Sequence, residues 1–361
     1  MMERVFNFNP GPATLPLEVL EKAQKELTNY KNTGMSVMEI SHRSKEFEEI
    51  IEQAEANLKE LLEIPDNYRV LFLQGGASTQ FFMIPMNYLR EGETADYILT
   101  GSFAEKAYKE AVKIGNVNVA GSTKESNFNR IPSPHELNFS PSPSYIHITS
   151  NNTIFGTQWK DYSIFGEFPL AADMSSDILC GPLDISPFAL IYAGAQKNLG
   201  PSGVTIVIIR QDMLDKVPAD LPSMLKYDTH AENSSLYNTP PSFPVYMVNL
   251  VLEWVKKEGG LEKMKEINEK KASLIYEAID QSDGFYKGHA EKESRSIMNV
   301  TFRLADEEAE KKFISEATAQ GLVGLKGHRS VGGIRASIYN AMPLAGCEKL
   351  ADFMDKFRKQ S

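Results

Sequence analysis

The chain has 361 residues, of which 42% are hydrophobic and 24% are charged, as in an ordinary globular protein. That length predicts one large domain plus a smaller one. The formal net charge of −10 disfavours a general role in nucleic-acid binding but leaves room for a local cationic pocket.

The cysteine count and the N-terminus bear on the cellular compartment. Two cysteines, Cys180 and Cys347, make neither a disulfide framework nor a metal site and fit a reducing compartment. Residues 1–10 contain no apolar signal segment, and no run of about 18 apolar residues occurs that could span a membrane. We therefore expect a cytoplasmic protein without a bound metal.

Strand and helix patterns alternate over the first two thirds of the chain. Apolar positions at helical spacing predict helices over 16–30 and 47–62. The pattern then predicts strands over 70–73, 95–99, 117–119, 145–149, 190–193 and 204–209, another strand ending at 173, and helices over 79–89 and from about 103 to 112. This βαβ rhythm predicts a mostly parallel sheet with helices on both faces, in which ligands bind beyond the carboxyl ends of the strands.

The last third has a different character. An amphipathic helix is predicted over 245–257, a break at Gly259-Gly260, and a second helical pattern over 261–279. A strand over 296–302, a helix over 307–320, a strand over 334–338 and a helix over 346–357 then predict an α+β domain that the N-terminal segment completes. The expected domains are a large one at 17–258 and a small one made of 1–16 and 259–361.

Lys197 and Asp173 each follow an apolar strand pattern. Their spacing suits a pyridoxal phosphate (PLP) site, in which a lysine forms a Schiff base with the cofactor aldehyde and a carboxylate holds the pyridine nitrogen protonated. Taken singly, each has a plainer interpretation. A lysine after a strand is commonly a solvated loop residue, and Asp173 could cap a helix.

Three further strand ends carry candidate cofactor ligands. Gly75-Gly76 joins a strand to a helix, where free N–H groups could bind a phosphate, although a pair of glycines is often only a turn. The ring of Phe103 could stack on a flat cofactor or belong to the core. The run 151–153 could form a turn or donate to the cofactor ring oxygen.

Cationic residues cluster in two short segments. His42 and Arg43 lie just before a helix, and His328 and Arg329 precede Arg335 near the C-terminus. Either pair could be solvated surface charge. Two pairs plus Arg335 in an acidic protein better suit a multiply anionic substrate, since the planar arginine fork matches carboxylate and phosphate. The rigid run 238–242 could be a linker or an arm that reaches a neighbouring subunit.

Together these residues resemble the phosphoserine aminotransferase family, PLP-dependent transaminases of fold type I and class V. The resemblance covers essentially the whole chain. It is carried by NFNPGPA (7–13), ISHRSK (40–45), QGGAS (74–78), AQKNLGPSG (195–203) and GHRSVGGIRAS (327–337). It implies an α/β fold with a mostly parallel, seven-stranded type of sheet in the large domain.

The resemblance also implies a role for each site residue. Lys197 would bind the cofactor and move the proton at the substrate Cα, and Asp173 would pair with the pyridine nitrogen. The remaining roles are these: Thr153 contacts the cofactor phenolic oxygen; Gly76, Ala77, Ser78 and Gln196 hold its phosphate; Asn238 and Thr239 reach that phosphate from the other subunit of a homodimer; Arg335 takes the substrate α-carboxylate; His42, Arg43, His328 and Arg329 take the distal phosphate or carboxylate.

Two positions depart from the family pattern. Phe103 stands where the family commonly has a stacking tryptophan, so the stacked area is smaller. Ala77 stands where some members have arginine, so the substrate phosphate must depend more on the His-Arg pairs.

Three functions remain open at this point. The first is amino transfer between O-phosphoserine plus 2-oxoglutarate and 3-phosphohydroxypyruvate plus glutamate, in serine biosynthesis, with a phosphorylated hydroxythreonine of PLP biosynthesis as a further substrate. The second is another class V enzyme, such as a small-amino-acid:glyoxylate transaminase or a cysteine desulfurase. The third is a non-catalytic α/β protein that binds an anion or a nucleotide.

Overall fold

The computed structural model of the chain describes residues 4–329 and 331–360. The strands are β1 Phe6–Asn7, β2 Tyr68–Leu73, β3 Thr94–Leu99, β4 Asn116–Ser122, β5 Ile146–Thr149, β6 Asn151–Asn152, β7 Thr157–Gln158, β8 Leu170–Asp173, β9 Phe188–Gly194, β10 Thr205–Arg210, β11 Lys287–Gly288, β12 Asn299–Arg303, β13 Leu322–Val323 and β14 Ile334–Ser337. The helices are α1 Leu17–Glu26, α2 Lys45–Leu61, α3 Gly76–Tyr88, α4 Ser102–Ala111, α5 Gln211–Leu214, α6 Tyr227–Glu232, α7 Ser242–Lys257, α8 Gly260–Asp280, α9 Glu307–Ala319 and α10 Leu344–Gln360.

A seven-stranded sheet forms the centre of the molecule, in the order β2-β10-β9-β8-β5-β3-β4. Only β10 runs antiparallel to its neighbours, β2 and β9; the other pairings in this sheet are parallel. The strands β5, β8 and β9 are buried along their whole length, as their near-continuous apolar sequences predict for a sheet covered on both faces.

The topology brings the predicted site residues to one edge of this sheet. Asp173 ends β8, and Lys197 follows the end of the adjacent parallel strand β9 by three residues. In parallel strands the carboxyl ends meet at the same edge, where an α/β sheet binds its ligands.

The C-terminal third has a hydrophobic core of its own. Phe8 joins side chains between Ala272 and Phe357 in that core, and β1 pairs in parallel with β13. Two other clusters cover the faces of the central sheet. This distribution supports the division into 17–258 and 1–16 plus 259–361, which we keep as a proposal.

Most predicted elements are confirmed within a few residues, and the differences have local causes. The helix predicted over 16–30 ends at Glu26, and a short 3-10 turn follows at Tyr30–Asn32, in which Lys31 has a left-handed backbone. The helix predicted to begin at 79 begins at Gly76. The predicted break at Gly259-Gly260 is confirmed, since both glycines have positive φ between α7 and α8.

Among the described residues, no helix combines the length and the apolar character needed to cross a membrane.

Candidate active site

Lys197 lies in the turn after β9, and its amine is enclosed. Its Nζ donates a hydrogen bond to Thr153 Oγ1 at 2.8 Å and lies 5.1 Å from the ring centroid of Phe103. Burial lowers the pKa of Lys197 to about 8, although the carboxylates of Asp173 and Asp177 oppose that shift. A lysine with such a pKa is neutral, and therefore nucleophilic, in a substantial fraction of molecules near neutral pH.

Asp173 is a buried carboxylate with a fixed orientation. Its Oδ1 accepts hydrogen bonds from the backbone N–H of Ser175 at 3.0 Å and from Ser175 Oγ at 2.6 Å. Burial raises the pKa of Asp173, and the positive charge of Lys197 and the Ser175 bonds oppose the rise. Burial makes the ionised form of this carboxylate unfavourable unless a cation lies nearby. Asp173 therefore suits a ligand that carries a positive charge.

Behind Asp173, neutral polar side chains support the site. Tyr192 lies opposite Asp173 in the sheet register, and its hydroxyl is 2.9 Å from His147 Nε2. Burial lowers the pKa of His147 to about 3, so this ring is neutral at physiological pH. Sequence reasoning did not find Tyr192 or His147, because inside strands such residues look like ordinary core positions.

The Gly75-Gly76 turn leads directly into α3. Gly75 and Gly76 have φ of 91° and 65°, and helix α3 has no acidic residue in its first turn. A Cβ at Gly75 would overlap Thr79 Oγ1, whose hydroxyl donates to Gly75 O at 3.0 Å. The N–H groups of Gly76, Ala77 and Ser78 therefore begin a helix whose dipole favours an anion at this position.

The segment that contains Asn238 and Thr239 lies beside this turn within the same chain. Gln74 Nε2 donates to Thr239 O at 3.0 Å, and Asn238 Nδ2 donates to the same oxygen at 3.1 Å. The side chain of Asn238 thus bonds its own segment, and the backbone oxygen of Thr239 is held next to Gln74, the residue before the Gly75-Gly76 turn.

Phe103 occupies the first turn of α4, next to a close approach of two loops. A Cβ at Gly101 would lie 2.6 Å from Asn152 Oδ1, so only glycine allows β3 to end this close to the loop after β5. The ring of Phe103 packs against a small apolar cluster of Phe128, Ile154 and Phe155. A planar face close to Lys197 Nζ is therefore held in place on one side of the site.

The loop that carries Thr153 is anchored to the C-terminal domain by amides. Asn151 Nδ2 donates to Asn299 Oδ1 at 2.8 Å, and Asn299 Nδ2 donates to the Tyr339 hydroxyl at 3.2 Å. The Tyr339 hydroxyl in turn donates to Pro10 O at 2.8 Å. Because these groups are buried, the network fixes Thr153 relative to both domains.

Gln196 links the site to the N-terminal segment. Its backbone oxygen accepts a hydrogen bond from Ala13 N at 2.9 Å. A Cβ at Gly11 would lie 3.2 Å from Lys197 Cγ, so the 9–13 turn packs directly on the lysine stem. The first residues of the chain therefore close one side of the pocket.

Cations gather at the C-terminal side of the site. Arg335 on β14 is 6% exposed, its Nε is buried without a hydrogen-bond partner among the described residues, and burial lowers its pKa. Burial also lowers the pKa of His328, and Arg335, Arg329 and Lys106 lower it further by repulsion. The predicted residues His328, Arg329 and Arg335 thus share one region with an additional cation.

That additional cation, Lys106, was missed at the level of sequence. It follows Phe103 by three residues on α4, and its Nζ lies 5.1 Å from the Phe103 ring centroid. Side chains three apart on a helix share a face, so this spacing was the available signal.

His42 and Arg43 are not brought to this cluster within one chain. The backbone N–H of Arg43 donates to Ser41 Oγ at 3.3 Å, in the turn that precedes α2. His42 Nε2 is buried and has no hydrogen-bond partner among the described residues. Within residues 4–329 and 331–360, no hydrogen bond or ion pair joins either residue to Lys197 or Arg335.

Comparison with known proteins agrees with this geometry. The chain matches the class-V aminotransferase family over residues 5–350 and belongs to that family. It is 60% identical to a phosphoserine aminotransferase of Geobacillus kaustophilus, with 99% of each chain covered, and 54% identical to that of Bacillus subtilis, with 100% of each covered.

Solved structures give the same result. The phosphoserine aminotransferase from Bacillus circulans subsp. alkalophilus superposes with a TM-score of 0.98 at 57% identity, covering 99% of each chain. A PLP-bound phosphoserine aminotransferase from Trichomonas vaginalis superposes with a TM-score of 0.92 at 38% identity, covering 98% of this chain and 100% of that one. The predicted fold class and family are confirmed.

Proposed function

We propose that this chain is a PLP-dependent phosphoserine aminotransferase. It transfers the amino group between O-phospho-L-serine plus 2-oxoglutarate and 3-phosphohydroxypyruvate plus L-glutamate. The observation that carries the proposal is the arrangement at the sheet edge, where an amine of lowered pKa and a buried carboxylate lie next to the buried Arg335, which is grouped with His328, Arg329 and Lys106. The full-length identity to several phosphoserine aminotransferases supports the same substrate.

The residues present fit PLP in charge and in shape. Gly76, Ala77, Ser78 and Gln196 would hold the phosphate, Phe103 would stack on the ring, and Thr153 would contact the phenolic oxygen. Asp173 accepts hydrogen bonds from Ser175 and forms no ion pair among the described residues. Its carboxylate would therefore hold the protonated ring nitrogen. When bound, PLP supplies an electron sink for bond breaking at the substrate Cα.

Lys197 has two tasks in this arrangement. With PLP bound, its Nζ would hold the cofactor covalently and would accept the proton from the substrate Cα. The Thr153 hydroxyl, 2.8 Å from Nζ, orients the amine for that transfer.

The cationic residues orient both substrates. Arg335 would take the α-carboxylate, because its guanidinium is buried and its Nε is unpaired among the described residues. His328 and Arg329 would take the distal phosphate of one substrate and the distal carboxylate of the other, and Lys106 would add positive charge beside His328.

The homodimer is part of the proposal. Large exposed apolar side chains flank the segment predicted to reach the other subunit and also the segment with His42: Tyr237 is 45% exposed beside Asn238, and Met35 and Met38 are 42% and 56% exposed near His42. Such a concentration is typical of a covered surface. A second chain would then supply His42, Arg43, Asn238 and Thr239. A cytoplasmic location, a role in serine biosynthesis and a second substrate, phosphohydroxythreonine in PLP biosynthesis, complete the proposal.

The desulfurase alternative is disfavoured by the two thiols. Burial raises the pKa of both Cys180 and Cys347 to about 12, whereas a nucleophilic cysteine needs a lowered pKa.

The test is a visible spectrum of the purified, PLP-loaded protein before and after adding O-phosphoserine without any keto acid. We expect the visible band of the bound cofactor to disappear with phosphoserine and to return with 2-oxoglutarate. The Lys197→Ala variant should retain its fold and lose turnover by at least about a thousandfold, since it lacks the proton acceptor. A band that responds to glycine or alanine and ignores phosphoserine would refute the assigned substrate.

A further inference from the structure

Residues 327–329 and 331–333, here called the anion loop, include the predicted substrate ligands His328 and Arg329. Its ends are joined, since Gly327 N donates to Gly333 O at 2.8 Å and Lys326 bridges to Ile334. Inside it, the N–H groups of Val331 and Gly332 both donate to His328 O, at 2.9 and 2.8 Å. The backbone at His328 is therefore set by the position of the residues that follow it.

One ion pair outside the anion loop holds its backbone. Arg303, the last residue of β12, donates from Nη1 to Val331 O at 2.8 Å, and its Nε donates to Glu310 Oε1 at 2.5 Å. The other oxygen of that carboxylate, Oε2, accepts a hydrogen bond from Gly333 N at 3.1 Å. The side chain of Glu310 is 6% exposed and that of Arg303 is 42% exposed, so the carboxylate end of these charged hydrogen bonds is shielded from water.

The glycines of the anion loop are explained by this contact. Gly333 has φ of +72°, and a Cβ there would overlap Arg303 Cδ and lie 2.6 Å from Phe302 O. Gly332, also at +72°, would place a Cβ 3.3 Å from Arg303 Nη1. The backbone at Gly332 and Gly333 therefore packs directly against the Arg303 side chain, and only glycine permits this approach at these two positions.

The far side of the anion loop contacts the large domain. Val331 packs against the cluster of Phe128, Ile154 and Phe155, and Phe103 packs on the same cluster. The loop therefore connects the strand that ends at Arg303 with the wall of the cofactor site.

We propose that Arg303 and Glu310 are positioning residues for the distal anion of the substrate: they hold the anion loop so that His328 and Arg329 face the site. Neither residue touches the reacting atoms. The inference rests on the proposed function and adds a determinant of its substrate affinity. It assigns a purpose to the 332–333 glycine pair, which the cofactor chemistry does not require.

Two variants test the ion pair, Glu310→Gln and Arg303→Lys, each in the PLP-loaded enzyme. Gln keeps the shape of Glu310 without its charge, and Lys keeps the charge of Arg303 without the second donor to Val331 O. We expect KM for phosphoserine and for 2-oxoglutarate to rise about tenfold, the loss typical of a charged hydrogen bond, with kcat changed less than about twofold. Amide hydrogen exchange at Gly333 should accelerate in both variants.

The matched control is Asp280→Asn. Asp280 forms a bidentate ion pair with Arg295, at 2.6 and 2.8 Å, and has no described contact with the anion loop. We expect it to lower the melting temperature with KM unchanged. If Glu310→Gln fails to fold, Arg303→Lys carries the same test.

Equal effects on KM in the control, or a fall in kcat at constant KM in the Arg303 and Glu310 variants, would overturn the inference. Glutamate, which also has a distal anion, separates the two proposals. A wild-type enzyme that turns over glutamate but not phosphoserine would refute the proposed function, while KM for glutamate would still report on Arg303 and Glu310.

Discussion

Replacing Gly75 by alanine should destabilise the Gly75-Gly76 turn, the proposed phosphate site, in a way that depends on Thr79. At φ of 91° an alanine costs about 1–2 kcal/mol because of its Cβ. The new Cβ also overlaps Thr79 Oγ1 and forces that side chain to rotate, which breaks its hydrogen bond to Gly75 O, a loss of about 1 kcal/mol. We expect Gly75→Ala to lower the free energy of unfolding by about 2–3 kcal/mol.

A double-mutant cycle separates the two contributions. Thr79→Ala alone should cost about 1 kcal/mol, since it removes the hydrogen bond without any clash. In that background Gly75→Ala meets no side-chain oxygen, so the double variant should be about as stable as Gly75→Ala alone. The double variant should therefore be about 1 kcal/mol more stable than the sum of the two single losses of unfolding free energy would predict.

The assay is urea unfolding of the cofactor-free protein followed by circular dichroism, with the PLP dissociation constant measured by absorbance titration. Displaced N–H groups at Gly76 should weaken PLP binding about tenfold in the Gly75→Ala variant. If the losses of unfolding free energy in the two single variants add in the double variant, the assigned contact between position 75 and Thr79 does not exist. If PLP affinity is unchanged, the turn is not the phosphate site.

Two other predictions concern lysines. The rate at which cofactor-free protein binds PLP covalently should rise about fivefold from pH 7 to pH 8 and level off above pH 9, because only the neutral amine attacks and the pKa of Lys197 is about 8. A stopped-flow rate that keeps rising to pH 10 would show an unperturbed lysine. Lys106→Met should raise KM for phosphoserine roughly threefold to tenfold in steady-state assays, since one of the cations beside His328 is lost. Lys109→Met on the same helix is its control, and an equal change in both variants would exclude a specific role for Lys106.

The sequence predicted the sheet well because its strands are buried on both faces. Runs such as 190–193 and 206–209 are apolar without interruption, and Gly194 and Arg210 follow them directly. The pairing of Lys197 with Asp173 follows from the same pattern, since adjacent parallel strands bring their carboxyl ends together. Local pattern and topology therefore agree at these positions.

Other parts of the site depend on contacts that leave no sequence period. Glu310 accepts a hydrogen bond from the backbone N–H of Gly333. Almost any residue type can supply a backbone N–H, so the sequence does not mark this contact. His147 and Tyr192 look like core residues because they are core residues, and their function comes only from their position behind Asp173. The roles proposed for His42 and Arg43 require a second chain, so neither the sequence pattern nor a single chain brings them to the site.

The charge balance at the sheet edge explains why this pocket favours a cationic ring over a neutral one. Burial raises the pKa of Asp173 and lowers that of Lys197, so each group alone tends toward its neutral form. His147 stays neutral and supplies no compensating charge. A protonated ring nitrogen beside Asp173 would keep the carboxylate ionised, and the carboxylate would keep the nitrogen protonated, each raising the stability of the other. A bound cationic ligand would thereby add to the compensation that Lys197 and Ser175 already give the buried Asp173, and the carboxylate would help to determine both cofactor affinity and cofactor protonation.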